Sequence, residues 1–162
     1  MKTLYLVRHA KSSWKDSSLP DDERPLNKRG KRNAPAMGEY LASRCARPER
    51  LVSSPAKRAL TTARFIAAAL DYDLDAIVLD RKMYFTGIDS MLDILRDTDE
   101  EITSLMLVGH NPDMTFLLNS LCGYQVDNMP TCGVAQLECD GDWSAIGQGR
   151  CRLVDYKIPR EL

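Results

Sequence analysis

The chain lacks an excess of charge of either sign. Its 162 residues carry 22 Lys and Arg against 23 Asp and Glu, for a net charge of −1. Nothing in that balance argues for nucleic acid as a partner. It lacks any apolar run near the ~20 residues that span a bilayer. Met1-Lys2-Thr3-Leu4 enters a strand pattern directly, with no leader-peptide cleavage pattern. The expectations are no membrane partner and a cytoplasmic location. It lacks a CxxC pair. The five cysteines, Cys45, Cys122, Cys132, Cys139 and Cys151, are odd in number, which argues against a zinc cluster and against a disulfide framework. They are expected to be reduced thiols, used as small apolar residues. It lacks repeats, linkers and low-complexity segments, so residues 1–162 read as one domain of a size that buries a sizeable core. It also has only two histidines.

Both histidines stand at the ends of apolar strands. Leu4-Tyr5-Leu6-Val7 runs into Arg8-His9, and Leu105-Met106-Leu107-Val108-Gly109 runs into His110. Short continuous apolar runs of this kind read as strands buried on both faces, as in the middle of a parallel sheet. Ligands bind at the carboxyl ends of such strands. One strand-end histidine is unremarkable; two, one of them beside an arginine, suggest a single pocket with facing imidazoles.

The intervening chain fits this picture. Residues 8–32 hold eight Lys and Arg against four Asp and Glu, a local basic bias that reads either as a solvated loop or as the rim of an anion site. A helix follows Leu26-Asn27-Lys28-Arg29-Gly30, with Ala34, Met37 and Leu41 on one face; Pro35 either lies near its start or kinks it. Leu51-Val52-Ser53 is a short strand. Ser54-Pro55 then reads as an N-cap with proline at the first helical position, which places Arg58 in the first turn of the next helix. Ala76–Leu79 is a third strand, and Thr86-Gly87-Ile88-Asp89 looks like a capping box. Asn111-Pro112 repeats the cap-then-proline signal after His110. Val134–Cys139 and Arg152–Ile158 read as two antiparallel edge strands. The sum is an α/β sheet with Arg8, His9, Arg58 and His110 gathered at one edge.

That set suits phosphoryl chemistry. Two guanidinium forks match phosphoryl oxygens, and helix N-termini add backbone donors. One imidazole can attack phosphorus and carry the phosphoryl group covalently. The other, held protonated by the bound anion, stabilises charge on the equatorial oxygens. Zinc is the main competitor for two histidines. Adjacent arginines would repel a metal ion and no third ligand is evident, so neither metal nor cofactor is expected.

Three segments together, Leu6-Val7-Arg8-His9-Ala10, Ser53-Ser54-Pro55-Ala56-Lys57-Arg58-Ala59 with Thr62-Ala63, and Val108-Gly109-His110-Asn111-Pro112, resemble the histidine phosphatase (phosphoglycerate-mutase-like) superfamily. The likeness is closest to the small SixA-type phosphohistidine phosphatases. It continues through Arg24–Gly30 and Met129–Gly133, and so covers nearly the whole chain. The resemblance implies a three-layer α/β sandwich whose central sheet is mostly parallel with an antiparallel edge. It implies that His9 is the nucleophile and that Arg8, Arg58 and His110 complete the phosphate pocket. It places Arg24, on the loop over the site, and Ser12 among the substrate contacts.

Two residues depart from the family pattern. Ala10 replaces the usual glycine of the Arg-His-Gly motif. Many relatives also carry a glutamate after the third strand as general acid, whereas this chain reads Leu79-Asp80-Arg81-Lys82-Met83-Tyr84, with Asp80 the nearest candidate. An alkoxide leaving group needs a proton; an imidazole leaving a phosphoramidate needs less help. The expectation is therefore a metal-independent phosphatase acting on phosphohistidine in a partner protein, working as a monomer. The alternatives are a broader phosphomonoesterase of the same superfamily and, against the intact four-residue set, a phosphate-binding module without turnover.

Overall fold

The computed structural model describes all 162 residues. Six strands form one sheet in the order β3-β2-β4-β1-β5-β6: β1 (Lys2–Arg8), β2 (Arg50–Ser53), β3 (Val78–Leu79), β4 (Ser104–Gly109), β5 (Val134–Cys139) and β6 (Cys151–Lys157). The first four are mutually parallel; β5 and β6 run antiparallel and complete one edge. Four helices cover the two faces: α1 (Lys28–Ser43), α2 (Lys57–Ala69), α3 (Ile88–Arg96) and α4 (Asp113–Cys122).

The pleat explains why β1 and β4 are apolar without interruption. Leu4, Leu6, Leu105 and Leu107 pack on one side with Met91, Leu95, Met114 and Leu117 of α3 and α4. Tyr5, Val7, Met106 and Val108 alternate to the other side and meet Ala34, Met37, Ala63 and Ile66 of α1 and α2. Each strand thus feeds two cores, and the result is the expected three-layer sandwich. No helix is long and apolar enough to cross a membrane.

Helix α1 is set by its first turn. The Asn27 side chain accepts from the Gly30 amide at 2.8 Å, as an N-cap does. Gly30 lies directly against the segment that follows β1, and a Cβ there would collide with the Lys11 carbonyl. Pro35 lies inside the helix, not at its start. In an exposed helix Gly→Ala stabilises by about 1 kcal/mol. Here the sign should reverse: Gly30→Ala is expected to cost about 1–3 kcal/mol through overpacking. Urea unfolding checks this, and an unchanged or raised midpoint would mean that α1 does not press on the β1 loop.

Several local expectations are corrected. Cys139 and Cys151 are not free thiols. They are register partners across β5 and β6, their Cα atoms lie 4.1 Å apart, and they are joined as a disulfide. Three leftover cysteines made the total odd and hid one pair at a strand end. Those three are free, and burial pushes the Cys122 thiol up to about 11 and that of Cys132 to about 12, so both behave as small neutral residues. The third strand is two residues long, because Leu74–Ala76 coils into a 3-10 turn. Ser54 does not cap α2, which starts at Lys57. Thr86 does not cap α3: its hydroxyl donates to the Lys82 carbonyl, and Gly87 occupies the cap position with φ +88°.

Candidate active site

The carboxyl ends of three neighbouring strands meet at one point. Arg8 ends β1 opposite Gly109 of β4. The ladder runs on past both strands, with the His9 amide donating to Gly109 and the Ser54 amide to Val108, each at 3.0 Å. His9 and His110 are thereby fixed side by side, with ring centroids 5.1 Å apart. Both are buried.

Hydrogen bonding sets the tautomer of His9. Its Nδ1 lies 2.7 Å from the Ala10 carbonyl. A carbonyl only accepts, so Nδ1 carries the proton and Nε2 keeps its lone pair. Ala10 is held in turn by Thr62, whose hydroxyl accepts from the Ala10 amide at 2.9 Å and donates to the Arg58 carbonyl. Arg8 donates to the Met129 carbonyl at 2.8 Å. The Cys132 amide reaches back to the carbonyls of Arg8 and His9, both at 3.0 Å. The Met129–Gly133 turn is thus the back wall of the pocket. His110 Nε2 lies 2.8 Å from the Ser54 hydroxyl, which is where that serine is used.

Two side-chain polar atoms are buried with no partner anywhere in the protein: Arg8 Nε and His110 Nδ1. Buried polar groups are almost always paired. Both unpaired atoms belong to this pocket, and Arg8 Nε can only donate.

Arg58, on the first turn of α2, is buried. Its guanidinium donates to the Asp21 carbonyl at 2.6 Å and to Asp21 Oδ2 at 2.9 Å. Arg24 donates to Asp21 Oδ1 at 3.1 Å, to the Ser13 carbonyl at 3.2 Å and to the Ser12 hydroxyl at 2.6 Å, and its guanidinium lies 3.3 Å from the centre of the exposed Trp14 ring. The Tyr84 hydroxyl donates to Asp21 Oδ2 at 2.6 Å, and its ring stands edge-on to His110. Phe85 stacks on His110 at 4.5 Å, in the left-handed region with φ 56°; strain of this kind persists only where the surroundings hold it.

The structure therefore brings together Arg8, His9, Arg58 and His110. It pairs Ser12 with Arg24 at the wall. Asp80 is held in its own turn, its carboxylate accepting from the Lys82 amide at 2.9 Å. The carboxylate hydrogen-bonded within the pocket is Asp21, which the sequence reading did not single out, as it did not Tyr84 or Phe85. Burial pushes Asp21 up, but hydrogen bonds from Tyr84 and Arg58, the Arg58 charge and a bond from Arg24 outweigh it and hold the carboxyl at about 2.

Burial is the main force on the imidazoles. It lowers His9 from 6.5 to about 4, the Ala10 bond opposing and the charges of Arg58, Arg8 and Arg24 adding. It lowers His110 to about 3, helped by His9 and Arg58 and opposed by Asp21. Both rings are neutral at pH 7 without an anion. With only two histidines, their NMR signals can be followed individually. Both are expected to titrate well below 6.5 in the anion-free protein and to move up when orthovanadate binds, because an anion offsets the arginine charges. Titration near 6.5 would break the pocket as described. The sign for stability follows: the unfolded chain takes up these protons near 6.5 and the folded chain does not, so stability is lost as pH falls below 6.5.

Comparison with known proteins gives consistent findings. Residues 4–82 match the family model for the histidine phosphatase superfamily (branch 1). An uncharacterized chloroplastic protein of Arabidopsis thaliana is 30% identical over 149 residues, covering 87% of this chain and 68% of its own. The crystal structure of the putative phosphohistidine phosphatase SixA from Agrobacterium tumefaciens superposes with a TM-score of 0.83 at 32% identity, covering 98% of both chains. A protein histidine phosphatase SixA complexed with tungstate shares the fold, with a TM-score of 0.83 at 21% identity over 98% of this chain and 97% of that one.

Proposed function

The chain belongs to the histidine phosphatase superfamily, and from that premise we propose that it hydrolyses phosphohistidine on a protein through a covalent intermediate on His9. Membership supports phosphatase chemistry; the pocket supports the finer reading. The observation that carries it is the pair of unpartnered buried atoms, Arg8 Nε and His110 Nδ1, in a pocket whose nucleophile already holds the right tautomer.

The neutral Nε2 of His9 attacks phosphorus, and the bond from phosphorus to the substrate imidazole breaks; that ring enters protonated on its other nitrogen, so the electron pair leaves with it as a neutral imidazole and no proton is needed from the protein. Arg8, Arg58 and His110 take the three equatorial oxygens. The approaching anion favours protonation of His110, whose Nδ1 then donates to it. Water next attacks the phosphoryl group on His9, the P–Nε2 bond breaks, and phosphate leaves.

The leaving-group proton bears on substrate class. Asp21 is the carboxylate within the pocket, and at about 2 it has no proton to give at neutral pH. A site without an acid cleaves bonds to good leaving groups, so phosphoramidates and aryl phosphates should react well and alkyl phosphates poorly. Rates measured side by side, with EDTA present, on a phosphohistidine protein and on common phosphate monoesters test the reading. Comparable rates on alkyl phosphates would replace it by a broad phosphomonoesterase. Asp80→Asn is expected to change phosphohistidine turnover by less than about tenfold, below the roughly 10²–10⁴ that general acid–base catalysis contributes. A loss within that larger range would make Asp80 the acid.

A further inference from the structure

A groove of about 780 Å³ opens beside the catalytic pocket. The two share a wall: Ser13 and Leu26 line the groove, while the Ser13 carbonyl holds Arg24 and Leu26 is bridged to Ser12. The other wall is the start of α1, whose Gly30 lies against Lys11 just beyond the nucleophile.

The groove is basic. Lys15, Lys28, Arg29, Lys31 and Arg32 line it, and Asp16 is its one carboxylate, in a chain of net charge −1. All five cations are exposed, and none forms an ion pair. Arg29 and Arg32 also border a neighbouring depression with Arg160, which lengthens the stripe. Four of these cations stand in the first five residues of α1, with no acidic residue in the first turn. The helix dipole disfavours cations there and favours carboxylates, so local folding does not account for them. Pockets for small ligands are enclosed and mostly apolar; in this groove Leu19, Pro25 and Leu26 stand among a majority of polar and charged side chains, and it lies open to solvent.

We infer that this groove docks an acidic surface of the phosphoprotein and thereby selects which phosphorylated side chain reaches His9. The inference rests on the phosphoprotein reading of the pocket and adds the charge of the partner. Unpaired cations beside a phosphate site steer an anionic surface into register and raise its rate of encounter, with an effect that weakens as salt increases.

The test uses two phosphohistidine peptides of equal length, one flanked by glutamates and the other by lysines. At low ionic strength kcat/KM should favour the acidic peptide by about tenfold or more, the preference shrinking as salt is added. Arg29→Glu with Arg32→Glu should remove the preference by raising KM for the acidic peptide, leaving kcat and aryl phosphate turnover unchanged. Arg29→Gln with Arg32→Gln should fall between. Both positions are exposed, and circular dichroism confirms that each variant folds. Equal kcat/KM for the two peptides, or a preference that survives charge reversal, overturns the inference. A duplex oligonucleotide that competes better than the acidic peptide also overturns it. Phosphotyrosine peptides with the same flanks separate the two readings: turnover of these alone sinks the phosphohistidine assignment while the flank preference is still read. Fluorescence anisotropy with unphosphorylated peptides reads docking without any turnover.

Discussion

Replacing His9 by alanine is expected to lower turnover by about 10⁴-fold or more, the scale of losing a covalent nucleophile, with the fold kept. His9 projects from the end of β1, and its side chain meets the Ala10 carbonyl and the ring of His110, not the leucines that cement the sheet to its helices. Truncation therefore opens space in a polar pocket and leaves both apolar cores whole. Rapid quench with ³²P-labelled substrate should trap an acid-labile, base-stable phosphoryl-enzyme in the unmodified protein and none in the variant. Labelling of any other residue in the unmodified protein would overturn the assignment. Removing His9 also removes a neighbour that lowers His110, so the one remaining histidine should titrate higher than before.

Much of this site was legible in the sequence, for a physical reason. Strands buried on both faces are the clearest apolar runs a soluble chain makes, and β1 and β4 are such strands. Their ends were therefore well marked, and with them Arg8, His9 and His110. Arg58 followed from the helix start, although the start itself was misplaced: Ser54 has the residue type of a cap but bonds to His110, and sequence alone does not say which of two partners a serine hydroxyl serves. The Met129–Gly133 turn entered through resemblance, and only the geometry shows its work, holding Arg8 and the loop behind His9.

What stayed hidden was set by contacts distant in sequence. Asp21 sits among charged loop residues that look like any solvated surface. Its role comes from Arg58, 37 positions away, and from Tyr84, 63 positions away. The signal that could have found it is the want of a glutamate after β3, which asks what else stands there; the answer is Tyr84 and Phe85 against His110. The Cys139–Cys151 bond was hidden differently. The sequence pattern marks antiparallel strands over Val134–Cys139 and Arg152–Ile158, which leaves Cys151 one residue outside; β6 begins at Cys151 itself and sets it opposite Cys139, a register that an odd total of five cysteines does not suggest.

Arg58→Ala is expected to lower kcat/KM by about 10²–10³-fold, the cost of losing one charged donor to a transition-state oxyanion, and to weaken vanadate binding. The residue is 2% exposed, so a thermal melt must accompany the kinetics. Arg58→Lys is the control that keeps the charge. An ammonium is a point donor and does not reproduce a guanidinium fork, so lysine should recover only part of the loss. A second readout is independent of turnover. The Arg58 charge helps to lower both histidines and Asp21, so in the alanine variant all three should titrate at higher pH. Raised pKa values with unchanged kinetics would make Arg58 a neighbour of the pocket that takes no part in the reaction. Unchanged pKa values would contradict the geometry itself. Both must shift together if Arg58 is a ligand of the phosphoryl group, since one guanidinium then accounts for the charge felt by the histidines and for the charge met by the substrate.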